Sequence, residues 1–216
     1  MIPFVKTIQD NPQHVSAFLK AFYIVGLIGI FVSPTSDFFI SLTPLALILS
    51  FGLLLFFHTK FNFNTVGTFL LIAVLGFTIE ERGVNTGLVF GNYTYGDTLG
   101  LKISNTPIII GLNWLLMTYI TASVVDLFDI RVAYKIITAA ALMVIYDLVL
   151  EQVAPQMNMW SWQNGTIPLQ NYLAWFLIAV LFQSIFKIRK IDTYNPIAAS
   201  VLIIQFVFFI TLFLFL

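Results

Sequence analysis

Asp147 and Glu151 stand four residues apart in an otherwise apolar stretch, which on a helix puts both carboxyls on one face. Like charges at that spacing repel, and in a medium of low dielectric one of the two should keep its proton. A carboxyl that stays protonated near neutral pH is a general acid. A second acidic pair, Glu80-Glu81, closes another apolar run. Adjacent helical residues point about 100° apart, so at most one of these faces a helix bundle. From Glu80 to Gly96 the chain is polar, glycine-punctuated and aromatic, with Asn92-Tyr93-Thr94-Tyr95-Gly96-Asp97 reading as an extended, turning segment. From Asp147 to Asn171 a second polar island carries Trp160-Ser161-Trp162 and Pro168-Leu169-Gln170-Asn171. Asn113 and Trp114 fall near the start of a further apolar run. Each feature has a plainer reading: acids solvated at helix ends, an interfacial aromatic belt, and an amide serving as interhelical glue. Read together, they predict one site, from polar segments at 80–106 and 147–171.

The surroundings decide what such a site faces. Of 216 residues, 59% are hydrophobic and only 9% are charged, with no net charge and a mean hydropathy of +0.95. A soluble domain of this size needs more charge to cover its surface, so the expected class is an all-α integral membrane protein. The runs are too long and uniform for alternating barrel strands. No basic patch points to nucleic acid. With no cysteine, disulfides, thiolate nucleophiles and iron–sulfur clusters are excluded.

After a short polar lead over residues 1–14, seven helices are predicted: Val15–Val32, Phe38–Phe57, Val66–Ile79, Ile108–Val125, Val132–Leu150, Tyr172–Phe186 and Ile197–Leu216. The third and sixth fall short of the ~17 residues a span needs and must borrow flanking residues. The third helix is expected to end near Gly87, with a loop folding back onto the bundle. The first run is expected to be a span, since no small-residue cleavage site follows it. The whole chain, residues 1–216, is read as a single transmembrane domain.

Seven spans put Lys6, Lys20, Lys60, Arg131, Lys135, Lys187, Arg189 and Lys190 on the N-terminal side, and only Arg82 and Lys102 opposite. Removing the third span equalises the two sides. The positive-inside rule therefore predicts a cytoplasmic N-terminus, an external C-terminus and both islands on the non-cytoplasmic face. For a bacterial protein that is the inner membrane.

Several other chemistries find no support. The last helix has no lysine to carry retinal. Asp126-Leu127-Phe128-Asp129 resembles half of a prenyl-transferase magnesium motif but lacks a second acidic cluster on its side. His14 and His58 have no metal-ligand spacing around them, so no metal site is predicted.

The islands resemble the signature of a membrane carotenoid-biosynthesis family that includes carotenoid 1,2-hydratases and bisanhydrobacterioruberin hydratases. The matching elements are Glu80, Gly83-Val84-Asn85-Thr86-Gly87, Phe90-Gly91-Asn92-Tyr93-Thr94-Tyr95, Leu99-Gly100, Pro107 and Trp114, then Asp147, Trp160-Ser161-Trp162 and Pro168-Leu169-Gln170-Asn171. The resemblance implies addition of water to the terminal double bond of an acyclic carotenoid end of the lycopene or γ-carotene type. Protonation by a carboxyl would leave a tertiary carbocation, aromatic faces would stabilise it, and a second polar group would deliver water. Such a reaction needs no cofactor.

On this reading Asp147 and Glu80 are the first candidates for acid and base, with Glu151 and Glu81 next. Tyr93, Tyr95, Trp160, Trp162 and Trp114 are candidates for contact with the cation or the polyene, and Asn171 and Asn113 for holding water. Two alternatives share these residues. A carotenoid cyclase would start with the same protonation and quench the cation by ring closure. A non-catalytic carotenoid- or lipid-binding protein would use the aromatic belt alone. Gly83, Gly87 and Gly91 recur every fourth residue, a spacing that would serve helix packing within one chain or in a homo-oligomer.

Overall fold

Apolar segments in lipid must satisfy every backbone polar group internally, which helices do by themselves. The structure, a computed structural model, describes residues 8–216; Lys6 and the first half of the polar lead lie outside that range. The helices are α1 (Pro12–Phe31), α2 (Ser36–Ser41), α3 (Thr43–Phe57), α4 (Phe63–Thr86), α5 (Ile109–Asp126), α6 (Val132–Val153), α7 (Leu169–Ile188) and α8 (Ala198–Phe215). Six of them are long and apolar enough to cross a membrane, and α2 with α3 forms a bent pair that makes a seventh span. Large apolar side chains point outward along these helices, among them Leu70, Val74, Leu177 and Ile203. The protein is an all-α integral membrane protein.

The two spans that looked short gain their length at the ends. Helix α4 begins at an Asn62 cap, whose side chain accepts from the Thr65 amide at 2.9 Å. It runs on through Glu80-Glu81-Arg82 and stops where Gly87 takes the left-handed conformation, φ +68°. Helix α7 starts directly after Pro168. One expectation is corrected: Phe38–Phe57 is not a continuous helix. It breaks at Leu42 with a bend of 51°, and Pro44 stands in the first turn of α3, where its missing N–H costs no helical bond.

Four of the cations expected on one side, Lys60, Lys135, Lys187 and Arg189, gather at one end of the bundle. Lys60 pairs with Asp192 at 2.7 Å, and Asn64 donates to the Arg189 carbonyl at 2.7 Å. Asp126, the acid of the half magnesium motif, is held by Lys187, Lys135 and Thr193. It serves as a clasp between α5, α6 and α7.

At the opposite end the two islands meet. Strand β1 (Tyr93–Tyr95) pairs antiparallel with β4 (Trp160–Trp162), opposing Tyr93 to Trp162 and Tyr95 to Trp160. A smaller ribbon joins β2 (Lys102–Ile103) to β3 (Thr106–Pro107). Helices α4 and α5 approach closely beneath the islands: a methyl group on Gly76 would sit 2.7 Å from the Trp114 side chain, and one on Gly111 2.5 Å from the Ala73 carbonyl. That approach lets a side chain on α5 reach an acid on α4.

Candidate active site

Three carboxyls converge under the β1–β4 ribbon: Glu80 from α4, and Asp147 and Glu151 from α6, all buried. A charged group in such a place needs hydrogen-bond donors, and the islands supply them. In a strand, alternate side chains share a face. Tyr93, Tyr95, Trp160 and Trp162 therefore turn inward together, while Thr94 and Ser161 face out.

Glu80 is held by hydroxyls and one indole. Its Oε1 accepts from Tyr93 and from Tyr95, the latter at 2.5 Å, and its Oε2 accepts from Trp114 Nε1 at 3.2 Å. Glu151 is held by N–H groups. Its Oε2 accepts from Trp160 Nε1 at 2.9 Å and Trp162 Nε1 at 2.6 Å, and its Oε1 from Asn171 Nδ2 at 3.0 Å. Asp147 Oδ2 accepts from the same Asn171 amide at 3.2 Å, while its Oδ1 is buried without a partner. Among the described residues no cation pairs with any of the three; the ion pairs all lie elsewhere. Burial and the neighbouring Glu80 push the Tyr93 and Tyr95 hydroxyls well above the usual tyrosine range, so both remain O–H donors.

Glu80, Glu151, Asn113 and Asn171 border one small cavity together with the ribbon aromatics and Trp175. It offers about 20 Å³ to the centre of a water, which is room for one. Tyr93 and Trp162 also line an open cleft of about 470 Å³ at the outer surface, and Tyr93 and Tyr95 line a second of about 200 Å³. The ribbon is thus the partition between open polar clefts and the carboxyl cavity.

Ten of the eleven residues singled out from the sequence belong to this assembly. Glu81 does not: it turns toward Arg82 and accepts from Asn85 Nδ2 at 3.1 Å. Asp147 belongs to the cluster but sits behind Glu151 and Asn171, outside the cavity wall. Trp175 was missed as a site residue, although it lies four residues after Asn171 on α7. It stacks on Trp114 with ring centres 4.0 Å apart, forming the cavity floor. Gly83, Gly87 and Gly91 form no continuous helical face, because the helix stops at Thr86.

Fold and site define a membrane-spanning helical protein with a buried acidic centre at one end of its bundle. The chain belongs to the carotenoid biosynthesis protein family, whose profile matches residues 42–216. The match extends on both sides of the segment that carried the resemblance. Neither the curated proteins nor the solved structures contain a match to the chain. Membership gives the protein a role in carotenoid biosynthesis, with a carotenoid substrate and a lipid environment.

Proposed function

We propose that this protein is a carotenoid 1,2-hydratase that adds water to the terminal double bond of an acyclic carotenoid end. The observation that carries this reading is the placing of two carboxyls, Glu80 and Glu151, on one water-sized cavity separated from open polar clefts by a single layer of aromatic side chains.

The donors divide the labour. Glu80 is the acid, since the hydroxyls of Tyr93 and Tyr95 on its Oε1 can both give and accept a proton and so refill it from the outer cleft. Glu80 donates its proton to the less substituted carbon of the terminal alkene, and the positive charge develops on the neighbouring tertiary carbon. Glu151, surrounded by N–H donors that suit an anion, faces that charge, and the rings of Trp160 and Trp162 lie beside it. A water held against Asn113 attacks the cation, and its surplus proton passes to Glu151. The product is a tertiary alcohol. Asp147 touches neither substrate nor water in this scheme. It shares the Asn171 amide with Glu151, and that common donor offsets part of the repulsion between two acids one turn apart.

The site is proposed to face the non-cytoplasmic side of a bacterial inner membrane, as the charge asymmetry of the loops predicts. Co-expression in a bacterium that accumulates lycopene or γ-carotene, followed by mass spectrometry of the pigments, tests the function. A product one water heavier, absent with the Glu80→Gln variant, is expected. An isomer of unchanged mass would instead make the protein a cyclase.

A further inference from the structure

An acyclic carotenoid end must reach Glu80 and Glu151 from the lipid, and the ribbon closes the site toward water. A second cavity lies directly behind the first. It shares Ile110, Asn113 and Trp160 with the carboxyl cavity, and apart from Tyr146 and Thr43 is otherwise lined by apolar groups that include Leu47, Leu150 and Phe209. The Thr43 hydroxyl is occupied with the Ile40 carbonyl at 2.7 Å. A third cavity continues the series outward. It shares Thr43, Leu47 and Phe209 with the second, and opens between α1, the α2–α3 bend and α8. Its walls are almost wholly hydrocarbon, with Phe22, Phe39 and Phe208 prominent, and water-sized centres can occupy about 90 Å³ of it.

We propose that these three cavities are one substrate path, by which a linear polyene enters sideways through the cleft at the α2–α3 bend and threads its end past Leu47 and Phe209 to the carboxyls. The occupant follows from shape and chemistry. The three cavities adjoin through shared walls and are mostly apolar, with Tyr23 and Gln205 in the outer one and Tyr146 in the middle one as exceptions, and carboxyls stand only at the inner end, which fits an acyclic, methyl-bearing polyene whose reacting end arrives first. Leu47 and Phe209, common to the outer and middle cavities, form the constriction. They touch the chain behind its reacting end and so determine which carotenoids can enter. The family's substrate class supplies such a molecule. This inference rests on the carotenoid reading, but not on the fate of the cation, since a hydratase and a cyclase would need the same path.

The test blocks the path at two places remote from the carboxyls. Leu47→Trp fills the constriction. Gly26→Phe fills the mouth, where a methyl group on Gly26 would already lie 3.6 Å from the Phe208 ring. Leu181→Trp, on the exposed face of α7, is the control. Each protein is purified in mild detergent from carotenoid-accumulating cells. Retained pigment per protein is read by absorbance, and pigment conversion by chromatography, for variants that melt within a few degrees of the parent. At least a tenfold loss of retained pigment is expected with Leu47→Trp or Gly26→Phe, and none with Leu181→Trp. Should conversion fail in the parent while pigment is retained and then lost on blocking, the hydratase reading falls and the path stands. The path is overturned by parent protein that retains no carotenoid. It is equally overturned by blocked variants that keep pigment and conversion within twofold of the parent.

Discussion

Asp147 and Glu151 share one side-chain amide: Asn171 Nδ2 reaches Oδ2 of the first at 3.2 Å and Oε1 of the second at 3.0 Å. The amide comes from α7 and both acids from α6, so this contact joins two spans as well as two charges. Replacing Asn171 by Leu leaves both acids short of a donor in a buried place. The expected cost is on the order of 1–3 kcal/mol, read as a lower melting temperature in detergent. Asn171→Asp should be worse than Asn171→Leu, because it adds another acid to a group with no cation. Variants as stable as the parent would show that the acids do not depend on that amide.

The three carboxyls should not respond alike. Glu80→Gln and Glu151→Gln are expected to lower turnover by about 10²–10⁴-fold, the usual worth of a positioned acid or base. Asp147→Asn replaces a carboxyl that lies outside the cavity bordered by Glu80 and Glu151 with a group of the same shape, and should stay within about tenfold of the parent, or ~1.4 kcal/mol. Rates measured on folded protein with a carotenoid substrate decide this ranking. If Asp147→Asn were the most damaging of the three, the roles assigned to Glu80 and Asp147 would have to be exchanged.

Tyr93 and Tyr95 link the site to alkaline pH. Their hydroxyls lie well above the ordinary value of about 10, chiefly through burial and then through Glu80. A group raised in the folded state supports folding fully below its unfolded pKa, and loses that support as pH climbs toward the folded value. Stability should therefore show no tyrosine-dependent loss up to pH ~10 and then decline. The double variant Tyr93→Phe, Tyr95→Phe should flatten that alkaline decline. It should also lower turnover, since Glu80 would lose the two hydroxyls that refill it with a proton.

Orientation has its own readout. A reporter inserted near Gly96 should read as non-cytoplasmic, and one inserted near Lys190 as cytoplasmic, given the cations gathered around Lys60, Arg189 and Asp126 at the far end. The opposite pattern would invert the protein and put its acids on the cytoplasmic face.

Much of this was legible in the sequence, for reasons that differ from residue to residue. Four-residue spacing identified Asp147 and Glu151 as neighbours because helical geometry fixes that relation locally. Periodicity assigns a face and says nothing of depth, so it could not place Asp147 behind Glu151 and Asn171. The apolar run of the third span stops at Ile79, while the helix continues to Thr86 on the strength of its Gly87 cap. The pairing of Tyr93–Tyr95 with Trp160–Trp162 joins segments 67 residues apart. Nothing in either three-residue stretch names its partner. The bend at Leu42 did have a signal in Pro44, which the surrounding apolar run obscured.

The order of donors along the chain has a consequence for how the protein is made. Glu80 is followed after 13 and 15 residues by the tyrosines that bind it, and Glu151 after 9 and 11 by its two tryptophans. Each acid thus leaves the ribosome just ahead of its own hydrogen-bond donors, and each helix with its trailing loop can satisfy its carboxylate before the rest of the bundle exists. The ribbon between the loops must wait for both halves, and Asp147 must wait for the Asn171 amide on α7. Biogenesis can then proceed as two local closures and one late zippering, and Glu80 need not stay uncompensated in lipid while α5 and α6 are synthesised.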